Sequence, residues 1–228
     1  MEYTVNMKTK ITYQDNLLSH LTTPLTTDDD EISKSTPHLK SALPAIRVTE
    51  FDSYSLGCFI KRFNQYVDLG VPVIPVTIDS YGGEVYSLLG MIDVIESSSV
   101  PVLTYSTSKS MSCGAFLAAF GTKGYRYISP LSTIMIHSIS GFDWGKLEDM
   151  KSNVKEMDRL TDIVFGKLDE VCGQEQHFFK ALIKENLNAD FYVGAEDCKK
   201  YGLVDHIGVP DIEISFDITS KFKVRQKE

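Results

Sequence analysis

The apolar positions of this chain recur at two spacings that alternate along its length. Leu56, Phe59, Ile60, Phe63 and Val67 fall three and four residues apart and predict a helix over 53–67, ended by Gly70. Val85, Leu88, Leu89, Ile92 and Ile95 repeat that spacing and mark one apolar face of a second helix. A longer series, Leu147, Met150, Val154, Met157, Leu160, Val164, Leu168 and Val171, predicts a helix over 145–172 of about seven turns at 3.6 residues each. Its other faces are charged. Such a helix either packs on its domain with a solvated back or projects to meet a partner subunit. Between the helical stretches lie short β-type runs at 45–48, 76–79 (with Pro75 at its start), 100–105, 125–128 and 133–137. Shorter helices are expected at 114–120, with Gly121 as its C-cap, at 177–183 and at 195–201, and a strand or turn with one buried-looking carboxylate, Asp190, at 190–193. Alternation of strand and helix argues an α/β layer architecture with largely parallel strands.

The two ends break the pattern. Residues 1–43 are rich in Thr, Ser and Asp and poor in periodic apolar residues, so they read as an arm, with one short helical turn at Leu17, Leu18 and Leu21. The globular domain is expected over 44–210. An edge strand at 213–218 and a basic tail at 221–228 follow within 211–228.

Composition narrows the class only a little. With 228 residues, 43% apolar and 24% charged, the chain suits one large globular domain with appendages. A net charge of −8 argues against a nucleic-acid or anionic-membrane surface. No apolar run approaches a membrane span, and 1–10 lacks the apolar core of a signal peptide. Cys58, Cys113, Cys172 and Cys198 have no metal-type spacing and read as reduced thiols of a cytoplasmic protein.

Three places can carry chemistry. Ser112 stands where a β-type run gives way to a small-residue helix. A side chain there meets free backbone N–H groups and the positive end of the helix dipole, which stabilise an alkoxide or oxyanion. Taken alone, it is more readily an N-cap serine, and the neighbouring Cys113 is a second candidate nucleophile. Gly82-Gly83 turns a strand into a helix and lets a substrate backbone approach; a tight turn without function explains a lone Gly-Gly pair equally well. His137 ends a strand, where a histidine is usually structural. Together, Ser112 as nucleophile, His137 as base and Asp190 as the carboxylate orienting the base make a set suited to acyl transfer, with oxyanion donors at the N–H groups of Gly83 and Cys113. The order Ser, His, Asp matches none of the three common triad orders.

Over 45–207 these motifs resemble the proteolytic subunit of the Clp protease, the ClpP family of serine peptidases. Ser80-Tyr81-Gly82-Gly83 resembles that family's Ser-Pro-Gly-Gly turn, and Ser110-Met111-Ser112-Cys113-Gly114-Ala115-Phe116-Leu117 its nucleophile segment. Gly121-Thr122-Lys123-Gly124-Tyr125-Arg126 resembles Gly-Ala-Lys-Gly-Lys-Arg, and Met135-Ile136-His137 matches Met-Ile-His, 25 residues between serine and histidine as in the family. Asp190 stands eleven positions before Tyr201-Gly202-Leu203-Val204-Asp205, which resembles Tyr-Gly-Leu-Ile-Asp. The resemblance implies the Ser112, His137 and Asp190 triad and oxyanion donors at Gly83 and Cys113. It also implies a crotonase-like spiral of βαβ units with a long projecting helix, and no cofactor or metal. Homo-oligomeric heptameric rings, two of them stacked as a tetradecamer, are implied too, fed with peptide or unfolded protein by an AAA+ unfoldase. No phosphate-binding Gly-x-x-x-x-Gly-Lys motif occurs, so any ATP belongs to the partner.

The departures are specific. Tyr81 replaces proline, Ser108, Lys109 and Ser110 replace the usual residues before the nucleophile, and Cys113 replaces methionine, where only the backbone N–H is required. Ser138-Ile139-Ser140-Gly141-Phe142 stands where the family has Gln-Pro. The 53-residue interval from His137 to Asp190 is a few residues long for the family, which leaves Asp197 and Asp205 as the next candidates. Rival readings are a Ser-Lys peptidase using Lys109, acyl-CoA chemistry on the same fold, a processing peptidase without an unfoldase, as in capsid maturation, and a non-catalytic ring subunit.

Overall fold

The chain forms, in order, β1 (Lys8–Asp15), β2 (Ile46–Val48), α1 (Ser53–Asp68), β3 (Ile74–Ser80), α2 (Val85–Glu96), β4 (Val102–Met111), α3 (Cys113–Ala119), β5 (Arg126–Ile128), β6 (Thr133–Ile136), α4 (Leu147–Cys172), α5 (Phe178–Glu185), β7 (Phe191–Gly194), α6 (Ala195–Lys200), β8 (His206–Ile207) and β9 (Ile212–Thr219). This computed structural model describes residues 8–15, 45–139, 146–187 and 189–219, with 8–15 and 212–219 as backbone only. The chain divides into two units, Ala45–Pro210 and one that joins Met1–Pro44 to Asp211–Glu228. In the latter, β1 and β9 pair antiparallel, from Lys8 opposite Thr219 to Asp15 opposite Ile212. Polar alternation hid β1 inside the expected arm, because a two-stranded ribbon needs no long apolar run. The expected turn at Leu17, Leu18 and Leu21 and the basic tail 221–228 lie outside the described residues.

The larger unit is a seven-stranded sheet in the order β2-β3-β4-β5-β8, with β6 paired to β4 and β7 paired to β6. All its pairings are parallel except β6 with β7. Ile74, Val76 and Ile78 of β3 and Val102 of β4 are fully buried, as expected for parallel strands covered on both faces. The ten-residue β4 organises the sheet. Its first half pairs with β5 through Thr104–Ser106, and its second half with β6 through Lys109–Met111. The register against β3 shifts between Ile78 and Ser80, where β4 changes partner. The β4 hydroxyls of Ser106 and Ser110 are buried there and hydrogen-bond to each other at 2.6 Å, and Ser106 also bonds Ser132 at 2.9 Å. Those serines look like turn residues in the sequence, which is why β4 runs six residues past the expected end at Tyr105.

The helices pack as their apolar faces dictate, with two shifts. On α1 the buried face is Phe59, Phe63 and Tyr66, while Ile60 and Val67 are exposed. On α4 only the C-terminal half is buried, through Leu160, Val164, Phe165 and Leu168; Leu147, Met150 and Val154 are exposed. The Phe165 ring meets Phe116 of α3 edge-on at 5.2 Å. Every residue of α3 is buried, which its Gly and Ala content permits: a Cβ on Gly114 would already stand 3.5 Å from Ser80. Helix α3 ends at Phe120, and Gly121 instead packs closely on Thr104.

Candidate active site

The end of β4 and the start of α3 meet at Ser112, whose φ of 53 and ψ of −122 no β-strand or right-handed helix adopts. The turn persists because its surroundings fix it. The Ser112 N–H donates to the Met135 carbonyl at 2.8 Å, tying the junction to β6, and the Ser112 carbonyl accepts from Ala115 at 2.9 Å. Strain held this way at a half-buried hydroxyl is the usual setting of a nucleophile on a strand-to-helix turn. The Ser112 side chain makes no cap hydrogen bond. It meets His137 instead: Nε2 lies 2.8 Å from Oγ.

Sheet register explains how distant residues converge. Met111 pairs with Met135, so the residues that follow on β4 and β6 leave the sheet at the same edge. The antiparallel β6–β7 ladder ends with Ile136 opposite Phe191, so His137 and Asp190 leave it side by side. The 53-residue interval is thus closed by backbone pairing. The carboxylate itself is less well placed than expected. Asp190 Oδ1 lies 4.0 Å from His137 Nδ1, beyond hydrogen-bond range, and the Asp190 side chain is 51% exposed. The expectation of a buried carboxylate is corrected: Asp190 precedes β7 at the sheet rim, where no element among the described residues covers it. Ser140, Gly141 and Phe142, beyond His137 in the chain, lie outside the described residues.

Asp205 and Lys109 have different partners. Asp205 gives one oxygen to Arg126 Nη2 at 2.6 Å and the other to Arg126 Nε and the Gly124 N–H. Burial pushes its carboxyl up, but the Arg126 contacts outweigh that and hold it below the usual carboxylate range. Lys109, the base of a Ser-Lys reading, donates to Asp79 at 2.7 Å and lies over the Tyr81 ring. The Asp79 hydrogen bond raises the Lys109 pKa, so it remains an ammonium and not a base. Tyr81, in place of the family's proline, is 74% exposed beside the glycine turn.

Gly82 and Gly83 lie across from Ser112. Their φ angles are 108 and 152; a Cβ on Gly82 would stand 2.7 Å from Ser112 Cβ, and one on Gly83 2.4 Å from the Phe51 carbonyl. Only glycine fits both positions. Ser80 Oγ accepts the Gly82 N–H at 3.0 Å, and the Glu84 N–H donates to the Phe51 carbonyl at 2.7 Å. The bridge of Phe51 with Gly83 uses the peptides on either side of Gly83, so Gly83's own N–H and C=O are directed off that bridge. Cys113 is the first residue of α3, and its N–H has no acceptor within the helix. Its thiol is no competing nucleophile: burial pushes it up to about 11, against the opposing pull of the Gly83 backbone and the Ser112 hydroxyl. Sequence reasoning missed Phe51, which stands in no motif, and the contacts that Ser80 and the Cys113 thiol make with the glycine turn from within their motifs. Among the described residues no cluster of His, Cys, Asp and Glu could hold a metal ion, and no helix is long and apolar enough to cross a membrane.

A sequence model of the family described as Clp protease matches residues 72–211, which include all five candidate residues. Over 134 residues the chain is 37% identical to the ATP-dependent Clp protease proteolytic subunit 1 of Chlamydia felis (strain Fe/C-56). That alignment covers 59% of this chain and 64% of the relative, so the chain spans just under two thirds of the relative's length.

Proposed function

The chain belongs to the Clp protease family, and from that premise we propose that it is a serine-type endopeptidase acting through an acyl-enzyme. Ser112 Oγ attacks the scissile carbonyl while His137 Nε2 takes its proton. The tetrahedral oxyanion is stabilised by the N–H groups of Gly83 and Cys113 at the positive end of α3. His137 then returns the proton to the leaving amine, and water, activated by the same imidazole, hydrolyses the ester. Asp190 stabilises the imidazolium and its orientation from the β7 rim. The observation that carries this reading is the 2.8 Å contact of Ser112 Oγ with His137 Nε2 at a strained strand-to-helix turn.

The relative is by name the proteolytic subunit of an ATP-dependent protease. With the family resemblance, we propose for this chain a cytoplasmic homo-oligomeric ring, heptameric and stacked in pairs, that receives unfolded chains from a separate AAA+ unfoldase. The exposed Leu147, Met150 and Val154 on α4 supply the apolar face such stacking needs.

Purified protein is expected to hydrolyse a fluorogenic peptide, and Ser112→Ala to lower kcat/KM by about 10⁴-fold or more, with the melting temperature kept. Cleavage that survives Ser112→Ala would refute the reading; an inert wild type of ring size would support the structural-subunit alternative.

A further inference from the structure

The glycine turn is held from three sides, and the third contact is a side chain that the peptidase reading uses only for its backbone. Ser80 Oγ fixes the Gly82 N–H, and the Phe51 carbonyl fixes the Glu84 N–H. The peptide between Gly83 and Glu84 therefore has its N–H end anchored. Its C=O end accepts a hydrogen bond from Cys113 Sγ at 3.2 Å. Rotation of that peptide would change ψ of Gly83 and shift the Cα that it shares with the preceding peptide, whose N–H, that of Gly83, is the oxyanion donor. Glycine resists such rotation less than any other residue, so the turn needs an external restraint. We propose that the Cys113 thiol is a positioning residue: its S–H···O=C bond to Gly83 locks the Gly83–Glu84 peptide and, through the Gly83 Cα, the adjoining peptide that carries the oxyanion donor, a second role for the residue whose N–H is the other donor. This rests on the serine-peptidase reading for its catalytic consequence, though not for its structural one.

Three features make the bond effective although a thiol is a weak donor. Cys113 is 2% exposed, so water does not compete for its thiol proton. Burial keeps the sulfur protonated at neutral pH, and only the neutral thiol donates; a thiolate would accept instead, and would draw the Gly83 N–H away from an oxyanion. The sulfur also sits one residue from the nucleophile on α3, whose burial leaves it no freedom to move independently. The methionine that the family segment carries at this place has no S–H, so the restraint belongs to this chain.

The test compares Cys113→Ala with Cys113→Ser in the full chain, the serine restoring a donor of similar size. Two readouts are followed: kcat and KM on a fluorogenic peptide, and amide hydrogen exchange over residues 82–85, which requires no turnover. In Cys113→Ala, kcat is expected to fall about tenfold with KM nearly unchanged, since mispositioning a donor loses part of the effect of removing it. Exchange should accelerate about tenfold as the peptide is released. Cys113→Ser should hold both near wild type. If either readout stays at the wild-type value in Cys113→Ala, or if Ala and Ser lose equally, the lock is overturned. Should Ser112→Ala show that Ser112 is not the nucleophile, the peptidase reading falls and the exchange comparison alone decides the lock.

Discussion

The two flanks of His137 are built differently. On one side, Ser112 stands on a backbone that neighbours determine completely: its N–H is tied to β6, its Cβ faces Gly82 closely enough to exclude a second Cβ, and Oγ lies 2.8 Å from the imidazole. On the other, Asp190 is half exposed at the rim of β7 and stops 4.0 Å short. Backbone pairing brings both to His137, but only Ser112 is locked by packing. A position fixed by steric exclusion tolerates no variation; one fixed by a ladder end tolerates an ångström or more. The chemistry follows the same division. Attack geometry and oxyanion stabilisation require rigid placement, whereas a carboxylate near an imidazolium still acts through its charge at 4 Å, though more weakly when solvated.

That contrast orders the expected effects of mutation. Of the groups flanking Ser112 and His137, the glycine turn should show the larger effect. Gly83→Ala puts a Cβ into the Phe51 carbonyl and should lower kcat by about 10²- to 10³-fold, the effect of losing one oxyanion donor. A melting curve should show destabilisation of about 1–3 kcal/mol from the strained backbone. Asp190→Asn should do less, about 10- to 10²-fold in kcat, short of the ~10⁴ seen when a buried orienting carboxylate is replaced. An Asp190→Asn loss equal to or greater than that of Gly83→Ala would break the comparison and place the working carboxylate in direct hydrogen-bond contact with His137.

The same division separates what was legible in the sequence from what was not. The Ser112 junction, the Gly82-Gly83 turn and the helical faces of α2 and the second half of α4 were legible because each is written in local spacing or in residues no other turn demands. The α/β alternation followed from the same spacing. Asp190 could be placed beside His137 only through a family pattern, and its exposure could not be foreseen, since burial depends on which elements cover the β7 rim. The length of β4 was hidden because Ser106 and Ser110 are polar; they are buried in a strand because they satisfy one another and Ser132. The shift of the α1 face to Phe59, Phe63 and Tyr66 reflects a tyrosine that an aliphatic count overlooks. The β1–β9 pairing joins the two ends of the chain, and no local signal marks contacts of such separation. The Cys113 bond to Gly83 is likewise a tertiary contact between two motifs that the sequence shows only as neighbours of glycine and serine.

The central claim is that Ser112, activated by His137, is the nucleophile. It is tested most directly by treating the purified chain with a fluorophosphonate and mapping the adduct by mass spectrometry, with His137→Ala alongside. The account predicts one adduct, on Ser112 Oγ, that forms at least about 10³-fold more slowly in His137→Ala. An adduct on another residue, or labelling of Ser112 that proceeds unchanged without His137, would contradict it.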